Sequence, residues 1–174
     1  RRTLNLSSTP MNALLADSFT VMQPIADVRS VEIEFDAPPE TVLVDRDRIL
    51  QVLTNLIQNA IKFSDPGSAI HLLGEKDSSH MTVTIRDEGH GIPASHIDAI
   101  FEPFHQVDIS DSGPSSGSGL GLAICKEIVE AHGGTIWAER GIEQGAVFRF
   151  RIPIRDPHPF NAAATITSPN AGVS

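Results

Sequence analysis

The chain has 174 residues, a formal net charge of -9 and a sequence pI near 5.1, and carries a single cysteine, Cys125. A chain of this length is expected to form one domain that buries its own core. The acidic balance argues against nucleic acid or an acidic membrane surface as main partner, and one cysteine excludes an intrachain disulfide and any multi-cysteine metal site. No run approaches the roughly 20 apolar residues of a membrane span, and no secretory pattern opens the chain. The start at Arg1 is expected of a piece cut from a longer protein.

In chain order, residues 3–8 read as an extended entry, and Ser8, Thr9 and Pro10 as a cap followed by a proline at the first helical position. A helix over 10–28 follows, with Leu14, Val21, Ile25 and Leu15, Phe19, Met22 recurring at helical spacing and Pro24 marking a kink or an end. Val31, Ile33 and Phe35 alternate with acidic residues, which predicts a half-buried strand, and a short strand over 41–44 leads to Asp45 as the cap of a second helix over 46–63. That helix is two-faced. Ile49, Leu53, Leu56 and Ala60 form an apolar stripe, while Asn55, Asn59 and Lys62 at i, i+4 and i+7 form a polar one, offering amide oxygens and a cation to a polar ligand.

Strands are predicted over 69–74 and 81–87. In the second, Asp87 shares a face with Met81, Val83 and Ile85, so a carboxylate is turned toward the core and must find donors there. Gly89, Gly91 and Ile92 follow at once, with glycines that let backbone approach a ligand. A short helix over 93–100 leads to Phe101-Glu102-Pro103-Phe104 and a polar loop, expected to be mobile, that ends in Gly117-Ser118-Gly119-Leu120-Gly121-Leu122. The last helix runs to His132 with Leu120, Ile124, Ile128 and Ala131 inward, and Gly133-Gly134 stops it. Strands over 135–139 and 146–152 complete a domain ending at residue 153, and 154–174, rich in Pro, Ala, Asn and Ser, reads as a disordered tail. This order predicts a two-layer α/β sandwich, with three helices on one face of a mixed, mostly antiparallel sheet of about five strands.

Alone, the glycine run before the last helix is a weak phosphate-binding signal, because it lacks the Lys-Ser or Lys-Thr of a Walker loop and a strand just before it. Combined, NLIQNAIKF, DEGHGI, FEPF and GSGLGLAI, in this order and spacing, resemble the four nucleotide-binding boxes of the catalytic domain of sensor histidine kinases. The resemblance covers residues 3–153 and implies the Bergerat (GHKL) fold shared with gyrase B, mismatch-repair ATPases and a heat-shock chaperone. It implies ATP and Mg²⁺ as ligands, with Asn59 giving an amide oxygen to Mg²⁺, a hard ion that takes oxygen donors. Asn55 and Lys62 would lie along the phosphates as catalytic residues, Phe63 and Ile92 near the base, and Asp87 on the adenine amino group. Gly89 and Gly91 would make room for the base. Gly117, Ser118, Gly119, Leu120, Gly121 and Leu122 would close over the phosphates, with Phe104 anchoring the near end of the lid.

ATP-hydrolysing relatives carry a glutamate as base where this chain has Asn55, and a neutral amide is no such base. The resemblance therefore implies transfer of the γ-phosphoryl group to a histidine on a separate dimerisation domain, with a response regulator beyond it and no contact of this domain with membrane or nucleic acid. It implies a cytoplasmic setting. None of the seven histidines has the surroundings of that acceptor. Three departures from the family pattern stand out: Gly113-Pro114 after Asp111-Ser112, where a cation is usual; Ser116-Gly117 for Gly-Gly; and Val147 for a hydroxyl residue. Loss of the cation and of the hydroxyl each removes an interaction worth on the order of 1 kcal/mol, with more for the charged one. They keep two alternatives in view, a nucleotide-binding module that signals without phosphotransfer and a serine kinase of the same fold.

Overall fold

The computed structural model describes residues 3–104, 121–141 and 144–155. Five strands form one sheet: β2 (Glu32–Asp36), β4 (Ala69–Lys76), β5 (His80–Arg86), β7 (Ala146–Pro153) and β6 (Thr135–Arg140), in that spatial order. Only the β2–β4 pair is parallel. Three helices cover one face. α1 (Met11–Val28) lies over β2 and β4, α2 (Arg46–Phe63) over β4 and β5, and α3 (Gly121–Ala131) over β6 and β7. The expected two-layer sandwich is therefore the observed one, and no helix among the described residues is long and apolar enough to cross a membrane.

Strand alternation decides which side chains reach the helices. Ile70 and Leu72, then Met81, Val83 and Ile85, then Phe148, Phe150 and Ile152 are all buried on the helical side. The opposite face is polar: Arg149 forks onto Glu139 at 2.8 and 2.9 Å, and Trp137 donates its indole N–H to the same carboxylate.

The start of α1 differs from the expected cap. β1 (Ser7–Pro10) pairs antiparallel with β3 (Thr41–Val44) in a separate two-stranded sheet, and Pro10 is the extended residue before the helix. Its first two amides are met by backbone, Met11 N–H donating to Glu40 C=O at 3.0 Å and Asn12 N–H to Pro38 C=O at 3.2 Å, and the Ala13 N–H by the Asn12 Oδ1 at 2.8 Å. Pro24 sits inside α1, which runs on to Val28. The buried face is Met11, Leu14, Leu15, Ser18, Met22 and Ala26, while Val21 and Ile25, one residue round the helix, are exposed. In α3 the inward face is Leu122, Cys125, Ile128 and Val129; Ile124 is half-buried and Ala131 exposed. Leu120 lies outside the described residues.

The cap of α2 is as expected. Asp45 accepts the Arg48 N–H at 3.3 Å and also the Asn5 N–H at 3.0 Å, tying the entering chain to this helix. At the other end, Ile154 and Arg155 are hydrogen-bonded to Ser79 and His132, and the rest of the proposed tail, 156–174, lies outside the described residues. Replacing Phe148, whose ring meets Phe101 edge to face with centroids 6.3 Å apart, with alanine is expected to lower unfolding free energy by about 3–5 kcal/mol. The readout is a reduced urea midpoint at unchanged slope.

Candidate nucleotide site

The polar stripe of α2 is half-buried, as a wall that meets a ligand should be: Asn55, Asn59 and Lys62 are neither in the core nor fully in water. The Asn59 Nδ2 donates to the Asn55 carbonyl at 2.9 Å, which commits its nitrogen to the helix and leaves Oδ1 as the end to meet a ligand. The Asn55 Nδ2 donates to the Gly121 carbonyl at 3.4 Å, linking α2 to the first residue of α3. The Lys62 ammonium lies 5.5 Å from the centre of the Phe63 ring, and that ring is itself buried.

Beyond the end of α2 the chain returns along β5 to Asp87, which is 1% exposed. One carboxylate oxygen, Oδ1, accepts from Gly89 N–H at 3.0 Å and from Ala146 N–H at 3.2 Å. The other, Oδ2, is buried with no hydrogen-bond partner among the described residues. Burial pushes the Asp87 carboxyl above the usual carboxylate range, partly offset by the two amides. An unpartnered buried acceptor is costly, so Oδ2 has the properties of a ligand contact.

Two glycines explain how the backbone crowds around this carboxylate. A methyl on Gly89 would overlap the Phe63 carbonyl, the group that also accepts His90 N–H at 3.3 Å, so the turn after β5 is seated on the end of α2. A methyl on Gly145 would overlap the Asp87 carbonyl, and its φ of +89° disfavours any side chain. Gly91 lies against the Gly145 carbonyl, and Ile92 is buried. Gly89 and Gly91 therefore act first as packing positions for backbone on backbone.

Other expected site residues are distributed differently. Leu122 is buried and Gly121 half-buried at the start of α3, whereas Gly117, Ser118, Gly119 and Leu120 lie outside the described residues, as do the lid departures at Gly113 and Ser116. The short helix expected over 93–100 is a single 3-10 turn, Ala94–His96. Phe104, expected to anchor the lid, is 73% exposed at φ +62°. Phe101, by contrast, is buried with its ring against Phe148, and the lid that Phe104 is expected to anchor lies outside the described residues. The sequence reading missed Gly145 and the Ala146 N–H. The signal was a glycine at a tight turn before a strand, but that its neighbour serves Asp87 depends on β5 pairing with β7, with Arg86 opposite Val147.

A family model described as "Histidine kinase-, DNA gyrase B-, and HSP90-like ATPase" matches residues 44–156. The chain belongs to this ATPase family. Within it, the chain is 38% identical over 130 residues to the adaptive-response sensory kinase SasA of Prochlorococcus marinus (strain MIT 9215), covering 73% of this chain and 35% of that protein. It is 38% identical over 117 residues to the sensor histidine kinase WalK of Bacillus subtilis (strain 168), covering 66% and 19%. The chain thus spans about a third or less of the length of these two curated relatives. The nucleotide-free catalytic domain of histidine kinase ThkA superposes with a TM-score of 0.76 at 32% identity, over 87% of this chain and 97% of that one. Full-length ShkA, in complex with AMPPNP, superposes at 0.78 and 30% identity over 88% and 32%. The fold and the four motifs are those of a histidine-kinase catalytic domain.

Raised above its ordinary value of 3.8, the Asp87 carboxyl favours the neutral form in the fold. Its ionisation therefore lowers stability as pH climbs from that value to the folded one. Asp87→Asn, which cannot ionise, is expected to gain stability relative to wild type between about pH 3 and pH 7. Urea titrations of the two proteins at both pH values check the sign.

Proposed function

We propose that this domain binds ATP with Mg²⁺ and passes the γ-phosphoryl group to a histidine on a separate dimerisation domain of a sensor kinase. The observation that carries this reading is the orphaned Asp87 Oδ2. An adenine amino group is a donor of the kind that oxygen lacks, and the two backbone amides hold the carboxylate so that the free oxygen cannot turn away. Membership of the ATPase family and the AMPPNP complex of ShkA support the same ligand.

Asn59 fits an oxygen-preferring ion through Oδ1. The described residues contain no group of three or more His, Cys, Asp or Glu able to hold a metal. The Asn59 Oδ1 would be one donor to Mg²⁺, with phosphate oxygens and water among the others. Once bound there, the ion would offset charge on the phosphates. Lys62 adds a cation on the same stripe, and Asn55 supplies no base to activate water. These features favour transfer over hydrolysis.

Three of the described histidines, His71, His80 and His132, are engaged within the domain. Both ring nitrogens of His132 are occupied, His71 is bracketed by Glu34 and Glu88, and His80 is bonded to Ser79. A histidine supplied by another domain fits, as does a cytoplasmic setting and onward transfer to a response regulator. ThkA has been solved in complex with the response regulator TrrA.

Asp87→Asn would keep its carbonyl on the two amides and turn its NH₂ toward the base, donor against donor. ATP affinity is expected to fall about tenfold or more, while a 6-oxo purine nucleotide, which presents an acceptor, loses less. Asn59→Asp adds a charge beside the phosphates and is expected to weaken binding too. Calorimetry with ATP and GTP reads both; unchanged ATP affinity in both variants would reject the site. Phosphotransfer to a supplied cognate dimerisation domain, with an acid-labile product, tests the acceptor.

A further inference from the structure

α2 and α3 run antiparallel and are stitched by polar contacts at three levels. At the near end the Asn55 Nδ2 meets the Gly121 carbonyl at 3.4 Å. In the middle the Cys125 thiol donates to the Val52 carbonyl at 3.7 Å. At the far end the His132 Nε2 accepts the Asp45 N–H at 3.0 Å. The levels keep register. From Asp45 to Val52 to Asn55 the steps are seven and three residues, and from His132 back to Cys125 and Gly121 they are seven and four. That is the spacing of one face on each helix.

We propose that His132, as a neutral imidazole, is a positioning residue for the nucleotide site. It locks the end of α3 to the start of α2, so that the seam conveys the placement of the entering chain at Asn5 to Asn55 and Gly121. This rests on the nucleotide reading above.

The ring is 1% exposed and its tautomer is set by its partners. Nδ1 lies 2.8 Å from the Ile128 carbonyl and must carry the hydrogen, which leaves Nε2 with the lone pair that the Asp45 N–H requires. Asp45 is the junction, since its carboxylate caps α2 and holds the Asn5 N–H. From the other side, Arg155 donates to the His132 carbonyl at 3.2 Å. A proton on Nε2 would set donor against donor and open the far end of the seam.

The charged groups facing the ring are Asp45, which favours that proton, and Arg155, which opposes it; Glu127 and Glu130 of α3 are exposed. Burial is the largest influence and holds the imidazole below its ordinary value of 6.5. The tie's stabilisation is therefore complete above pH 6.5 and is lost as pH falls from there through the folded value. Cys125, pushed up to about 12 by burial, stays a thiol throughout.

The experiment compares wild type, His132→Gln and His132→Leu in the full chain, titrated with Mg-AMPPNP by calorimetry at several pH values from about 8 down to the lowest at which wild type stays folded. Glutamine keeps a neutral acceptor for the Asp45 N–H, whereas leucine keeps none. At pH 8 the leucine variant is expected to bind about three- to tenfold more weakly and the glutamine variant within about twofold of wild type, the scale of one hydrogen bond. The ratio of wild-type to glutamine-variant affinity, which cancels ionisation of the nucleotide and of Asp87, should fall about three- to tenfold on acidification. A constant ratio, or a folded leucine variant with wild-type affinity, overturns the proposal. If wild type binds no nucleotide at any pH, the functional reading fails instead. The seam is then judged from the Asn55 side-chain amide resonance in the free protein. That signal should move on acidification in wild type and stay in His132→Gln; no movement overturns the proposal, and this arm also serves if the leucine variant does not fold.

Discussion

A carboxylate held inside the protein by two backbone amides is the constraint on which the site depends. Asp87 lies one step beyond the end of β5, on the face that Met81, Val83 and Ile85 turn toward the helices. Burial there is unfavourable to charge, and two amides satisfy only one oxygen. The surroundings are built to keep it so. Gly89 lets the following turn close on the end of α2, and Gly145 lets the β6–β7 connection close on the Asp87 backbone. The result is a stiff, partly unsatisfied acceptor, which costs the free protein stability and is satisfied by a ligand that donates.

α2 serves two partners at once. Its apolar stripe, Ile49, Val52, Leu53, Leu56 and Ala60, is wholly buried, and that packing fixes the azimuth of the amide stripe. Because Asn59 is linked to Asn55 and Asn55 to the first residue of α3, the amide stripe belongs to a helix pair rather than to one helix. A packed pair moves as a unit, so a tie at its far end bears on its near end.

The absence of a carboxylate at Asn55 has a structural counterpart. An amide can donate to the Gly121 carbonyl, which an ionised glutamate could not. Asn55 therefore joins the two helices. Val147, the departure near the base, is buried in β7 between Glu139 and Arg86 of the neighbouring strands, where an apolar side chain packs as well as a hydroxyl residue would.

Local pattern was enough for what depends on periodicity. The order of helices and strands, the two faces of α2, the capping role of Asp45 and the inward turn of Asp87 all follow from spacing along one segment. Where two stripes competed on one helix, as with Val21 and Ile25 beside Met22 and Ala26, spacing could not choose, because the choice is made by what the helix packs against. Tertiary structure alone decided which backbone amides reach Asp87, that Phe101 rather than Phe104 enters the core, and that Pro10 ends a strand whose pairing supplies the carbonyls for α1. It also decided that His132 meets Asp45 across 87 positions of sequence. These are contacts between distant segments, set by sheet register and helix packing, and no local window contains both partners.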